Sequence, residues 1–202
     1  MFVMLARGIP VRARLAALAV FTLLASGAAC ADIAVDAGTS RARLYERAYW
    51  ELPDAWRTDR VIGVREVPDH AMDRLVAADD PRGSRYDQDS IVDACYEAGR
   101  RNGRWWAEIT LRESLPPAEA EVVFLHEYAH FVWHELLSSR DRAAYRRVWE
   151  RSRREGSLVT RYAADSPEEG FADSAAYFVL RPSTLRRRDP RSLRFLDDLL
   201  AR

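Results

Sequence analysis

Residues 126–130 read His126-Glu127-Tyr128-Ala129-His130, and that spacing constrains the chain more than any other stretch. On an α-helix, positions i and i+4 lie one turn apart on a single face. Two imidazoles placed there can close on one Zn²⁺, and a carboxylate beside the first can take a proton from a water at the ion. Such a pair works only if its helix is held rigidly, so its flanks should be apolar. They are: Val122-Val123-Phe124-Leu125 precede the pattern and Phe131-Val132-Trp133 follow it. Pro116 and Pro117 stand where a helix tolerates proline, at its first turn. The pattern predicts a core helix over about Pro117–Leu137. The plainer reading of the same residues is a buried helix whose two histidines are satisfied by hydrogen bonds.

At 202 residues the chain has the length of one domain with appendages. Its 31 basic residues balance 31 acidic ones, which argues against a dedicated nucleic-acid binder. Every basic residue is Arg, as in proteins of GC-rich genomes. The Arg-rich stretch Arg140–Arg161 reads as a solvated helix face with Glu150 and Glu155 interleaved.

The N-terminus has the build of an export signal. Arg7, Arg12 and Arg14 precede an apolar run from Leu15 to Leu24, too short to span a bilayer. Two processing readings follow. Ala29-x-Ala31 is a signal-peptidase site that would release a soluble protein near Asp32. Gly27-Ala28-Ala29-Cys30 is similar to a lipobox, with Gly27 where Leu is usual, and would anchor a lipidated Cys30 in the membrane. The expectation is a signal peptide over 1–31 and a single domain over 32–202, placed in the periplasm, outside the cell or on the envelope. The only other cysteine, Cys95, reads as a small buried hydrophobe.

Local signals set out the remaining elements. A helix over Arg41–Leu52, capped by Thr39 or Ser40, stops at Pro53. Strands are expected over Arg60–Glu66, Ile91–Glu97 and Trp105–Arg112. A short helix over Asp69–Ala78 leads into a loop over 79–90, which would gate the cleft if folded across it. Gly99-Arg100-Arg101-Asn102-Gly103 has turn chemistry. Helices over Asp141–Arg154, from Ser166-Pro167 to just before Pro182, and from Asp189-Pro190 onward complete the chain.

A catalytic Zn²⁺ wants a third protein ligand and one open position. His134 is two turns from His126, about 12 Å of rise, too far for one ion to touch both. Leu136 stands where the metzincin pattern needs a His. A carboxylate on a second helix can fill the place, and Ser166-Pro167-Glu168-Glu169-Gly170-Phe171-Ala172-Asp173 offers it. Ser166 with Glu169 also forms a capping box with Pro at N1, which would explain these residues without a metal. Glu168 and Glu169 are adjacent, so the register of the ligand stays open between them.

Glu169-x-x-x-Asp173 after H-E-x-x-H resembles the gluzincin pattern. The likeness extends to the catalytic domain of anthrax lethal factor and related small bacterial metallopeptidases. In those a Tyr stands seven residues before the ligand Glu and Phe-Ala-acid follows it; here Tyr162 and Phe171-Ala172-Asp173 hold these places. The resemblance covers Trp105 to Leu180 and departs at Asp173, where the toxin family has Glu. It implies that His126, His130 and Glu169 are zinc ligands. It implies that Asp173 buttresses a ligand His, that Glu127 is the general base and that Tyr162 stabilises the oxyanion. It also implies an edge strand at Trp105–Arg112 that pairs with an extended peptide substrate. The expected fold is α+β and zincin-like, with a small mixed sheet, an active-site helix and a glutamate helix. The expected function is an exported, monomeric zinc metallopeptidase acting on a peptide or protein. A zinc-binding envelope protein of the same fold without activity is the alternative, against which the presence of Glu127 counts.

Overall fold

The computed structural model describes residues 2–6, 33–36, 38–79 and 91–202. The apolar run of the leader, Cys30 and the loop residues 80–90 lie outside the described residues.

A mixed sheet of order β1-β4-β5-β3-β2 joins β1 (Phe2–Ala6), β2 (Ile33–Val35), β3 (Ile62–Val67), β4 (Ile91–Arg101) and β5 (Arg104–Arg112). β2, β3 and β5 run parallel, and β4 runs antiparallel to β5. The β4–β5 hairpin turns on Asn102 (φ 53°) and Gly103 (φ 77°), the two left-handed residues that a two-residue type I′ turn requires. β1 lies inside the segment read as a leader and, among the described residues, pairs with Ile91–Tyr96 of β4. Processing at Ala31 or Cys30 would remove it and leave β4 as the sheet edge.

This arrangement corrects one expectation. β5 is not an edge strand, because Gly63–Val67 of β3 pair along its outer side. The apolar alternation of β5 reports burial on the sheet, and pairing to a strand some 45 residues away leaves no local mark on it. The described edges of the sheet are β1 and β2.

Seven α-helices are described: α1 (Ala42–Trp50), α2 (Asp69–Asp79), α3 (Pro117–Phe131), α4 (Ser139–Glu155), α5 (Pro167–Leu180), α6 (Pro182–Arg188) and α7 (Pro190–Leu200). α3 carries the histidines, and its residues from Val123 to Phe131 are all buried. It continues into a π-helical turn, Val132–Leu136. One aromatic-rich core joins Ala94, Tyr96, Ile109 and Leu111 of the sheet to Phe124, Tyr128 and Phe131 of α3 and Phe171 of α5. Cys95, whose neighbours on β4 point toward α3, packs with Val92 and Val76 in a separate small cluster. Its burial pushes the thiol well above its usual range.

Several local forecasts differ in detail. α1 has no side-chain cap; Ser40 instead bonds Glu66 through both its backbone N–H (2.9 Å) and its hydroxyl (2.8 Å). α4 is capped by Ser138 accepting from the Asp141 amide at 3.1 Å and ends at Gly156, in the left-handed region at φ 65°. The short α6 has no apolar periodicity to announce it, only Pro182 at its start.

Candidate metal centre

The site is assembled from two helices. α3 presents His126 and His130 one turn apart, and α5 brings its first turn against them. The α5 start is fixed by Ser166, whose hydroxyl accepts from the Glu169 amide at 3.1 Å, with Pro167 at N1. Gly170 allows the approach: a Cβ there would overlap Trp149 Cδ1 and meet the Ala163 carbonyl at 3.1 Å. The Trp149 indole N–H donates to that same carbonyl at 2.7 Å.

Three donor atoms face one point. His126 Nε2 lies 3.1 Å from His130 Nε2 and 3.1 Å from Glu169 Oε2, and His130 Nε2 lies 3.4 Å from Glu169 Oε2. Both imidazoles are fully buried, and the Glu169 side chain is partly exposed. The opposite ring nitrogens are committed elsewhere. His126 Nδ1 is 2.7 Å from Asp173 Oδ1, and His130 Nδ1 is 3.1 Å from Glu168 Oε1. An Nδ1–H donated to each carboxylate fixes the tautomer with the Nε2 lone pair forward. Two lone pairs and a carboxylate oxygen pointing together repel one another unless a cation or shared protons lie between them.

The adjacent carboxylates therefore separate in space. Glu169 faces both Nε2 atoms, whereas Glu168 turns to His130 Nδ1 and also to His134 Nε2, at 2.7 Å. The π-helical turn places His134 there, away from the donor triangle. Asp173 uses its second oxygen to accept from the Thr160 hydroxyl, which in turn accepts from the Ala163 amide at 3.0 Å. Thr160 and Glu168 are the partners that sequence reasoning did not assign. The available signals were the adjacency of Glu168 to the ligand candidate and the threonine two residues before Tyr162. The ring of Tyr162 lies 5.7 Å from that of His126.

Glu127 sits beside the triangle. One of its carboxylate oxygens and a ring nitrogen from each of His126 and His130 lie within 4.8 Å of one another. It is fully buried, and neither oxygen makes a hydrogen bond of normal geometry, although the Tyr96 main-chain amide is near enough to favour the ionised form. Burial pushes its carboxyl up to about 7, against the pull of the two histidines. Burial opposes a charge on His126, but the bonds to Asp173 and Glu169 outweigh it and hold the ring up at about 10. For His130 the same contest, won by Glu168 and Glu169, gives about 9. Burial also opposes charge on Glu169 and Glu168, and the histidines prevail, holding both well below the ordinary carboxylate range.

No family model matches the chain, and no curated protein matches it. The fold and the donor set define the class on their own: a mixed α/β domain with a buried His-Glu-His group on a helix that can hold a metal ion.

Proposed function

We propose that the chain is an exported zinc-dependent peptidase of the zincin type, with a carboxylate as third metal ligand. The observation that carries this reading is Glu127: a fully buried carboxylate with no partner but the nearby Tyr96 amide, beside two histidines whose Nε2 atoms converge. A buried carboxylate so poorly satisfied costs several kcal/mol. A structural helix has no use for it, whereas a hydrolase needs it as a base. The donor triangle supports zinc, since tetrahedral bonds of about 2.0–2.1 Å separate neighbouring donors by about 3.3–3.4 Å.

His126, His130 and Glu169 would hold Zn²⁺, which when bound polarises a peptide carbonyl and acidifies a water. Glu127 takes the proton from the attacking water and delivers it to the leaving amine as the C–N bond breaks. Asp173 and Glu168 keep the imidazoles aimed. Tyr162, against His126, donates its hydroxyl to the developing oxyanion. With β1 removed by processing, the substrate lies as an added strand along β4. Export rests on the charged and apolar run from Arg7 to Leu24.

The test is cleavage of a peptide library by the zinc-loaded full chain beside Glu127→Gln. The variant should keep its zinc and lose roughly 10²–10⁴-fold in rate. Equal rates in the two proteins would sink the mechanism.

A further inference from the structure

His134 lies too far along the helix to share an ion with His126, yet it reaches the same site by another route. Its Nε2 is 2.7 Å from Glu168 Oε1, and that same oxygen is 3.1 Å from Nδ1 of the ligand candidate His130. One carboxylate oxygen thus takes two N–H donors, one from the core and one from the surface. The His130 side chain has no exposed surface, while those of Glu168 and His134 are 24% and 36% exposed.

The backbone around His134 keeps it in that place. After Phe131 the helix widens into the π-helical turn, closed by the Leu137 amide donating to the Val132 carbonyl at 2.9 Å. Turns of this kind are rare and frequently mark functional sites. This one is pinned on three sides. Trp133 is buried, with its ring 5.4 Å from that of Phe171 on α5. Glu135 pairs with Arg60, whose guanidinium stacks over Trp105 at 5.0 Å. Arg142 Nη1 donates to the carbonyls of Trp133 and Leu137 at 2.9 and 2.7 Å. With both its neighbours fixed, His134 meets Glu168 with little freedom left to lose.

Glu168 has use for the second donor. Its side chain stands partly in water, where a carboxylate held by one hydrogen bond turns readily to solvent. An exposed pair of charges alone would contribute little. What sets this pair apart is the other donor to the same oxygen: the Nδ1–H of His130, which fixes the tautomer that aims Nε2 at the donor triangle. A restraint on Glu168 is therefore a restraint on His130.

We propose that His134 is a positioning residue of the metal centre: through Glu168 it holds His130 in its ligating orientation, so zinc affinity depends on a side chain that never touches the ion. The proposal rests on the reading of His126, His130 and Glu169 as zinc ligands.

The experiment measures the zinc affinity of the full chain by competition with a chelator, beside His134→Ala, His134→Leu, His134→Gln, Glu168→Ala and the double variant His134→Ala with Glu168→Ala. Loss of the donor in His134→Ala or His134→Leu should weaken zinc binding roughly tenfold, with the thermal midpoint of the metal-free protein unchanged. His134→Gln, whose side-chain amide can donate from the place of the ring nitrogen, should restore most of the affinity. In the Glu168→Ala background the loss of His134 should cost nothing more, because the link is already broken. His134→Leu keeps the bulk of the ring and carries the test if His134→Ala does not fold. Wild-type affinity in His134→Ala and His134→Leu, a His134→Gln as weak as they are, or losses that add in the double variant would overturn the proposal and leave the metal centre standing. A wild type that takes up no zinc overturns the ligand assignment, and the proposal falls with it.

Discussion

Asp173 holds His126 from behind: its Oδ1 lies 2.7 Å from Nδ1 of the ring, while its other oxygen takes the Thr160 hydroxyl. The carboxylate is only 5% exposed, so its charge acts on the imidazole with little screening. Asp173→Asn keeps the shape and an acceptor but removes that charge. It should weaken zinc binding roughly tenfold, and Asp173→Ala up to a hundredfold, with the fold retained. Competition against a chelator measures both. Unchanged affinity in Asp173→Ala would show that the contact does not orient a ligand.

At Gly170 the backbone of α5 lies directly against the Trp149 indole. Gly170→Ala would ordinarily favour a helix. Here the added methyl must displace the indole, which also bonds the segment behind Tyr162. The expected outcome is a loss of about 1–3 kcal/mol in urea unfolding, with weaker zinc binding because Glu169 moves. A more stable variant would contradict the close approach.

Asp93 is 2% exposed, with one carboxylate oxygen unpartnered, and burial raises its carboxyl to about 6 against the pull of Arg112. The folded protein therefore keeps this proton in a range where the unfolded chain, with a pKa of about 4, has lost it. Its contribution favours the fold at low pH and declines as pH rises from about 4 to about 6. Asp93→Asn should remove that decline and be more stable at pH 7, on the order of 1–3 kcal/mol. Denaturant titrations at pH 4 and pH 7 compare the two; an identical pH slope in both proteins would contradict the assignment.

Glu66 should show the opposite sign. Its side chain is 3% exposed and accepts from Tyr45 Oη at 2.8 Å, from Ser40 and from Arg41. Burial opposes the charge, but these donors overcome it and hold the carboxyl below its ordinary range. Its stabilisation is present above the unfolded pKa of about 4.3 and is lost as pH falls below it. Arg41 also reaches the carbonyls of Arg112 (3.1 Å) and Glu113 (3.0 Å), so the pair ties α1 and β3 to the turn leading into α3. Glu66→Ala should cost about 3–5 kcal/mol by leaving Arg41 unpaired. A cost below about 1 kcal/mol in equilibrium unfolding would show the pair to be incidental.

What was legible in the sequence is what is local. Asn102-Gly103 announces its hairpin because only such residues take two left-handed conformations in a row. Ser166-Pro167 and Glu169 announce a helix start, and that start is also where a carboxylate meets the histidines. The i, i+4 pair announces a shared face. What was hidden is what long-range packing decides. β5 looks alike as an edge or an interior strand until β3 is placed beside it. Glu168 and Glu169 differ by one position on a helix, about 100° of rotation, and only the docking of α5 shows which faces the Nε2 atoms. Thr160 has meaning only once its loop lies against Asp173.

The central claim is that His126, His130 and Glu169 hold one zinc ion. Metal content of the purified full chain by mass spectrometry, beside His126→Ala, Glu169→Ala and Glu168→Gln, tests it most directly. The account predicts one zinc per chain, lost in the first two variants and retained with weaker affinity in the third. A wild type that takes up no zinc at neutral pH, or a Glu169→Ala variant that binds it as tightly as the wild type, would contradict it.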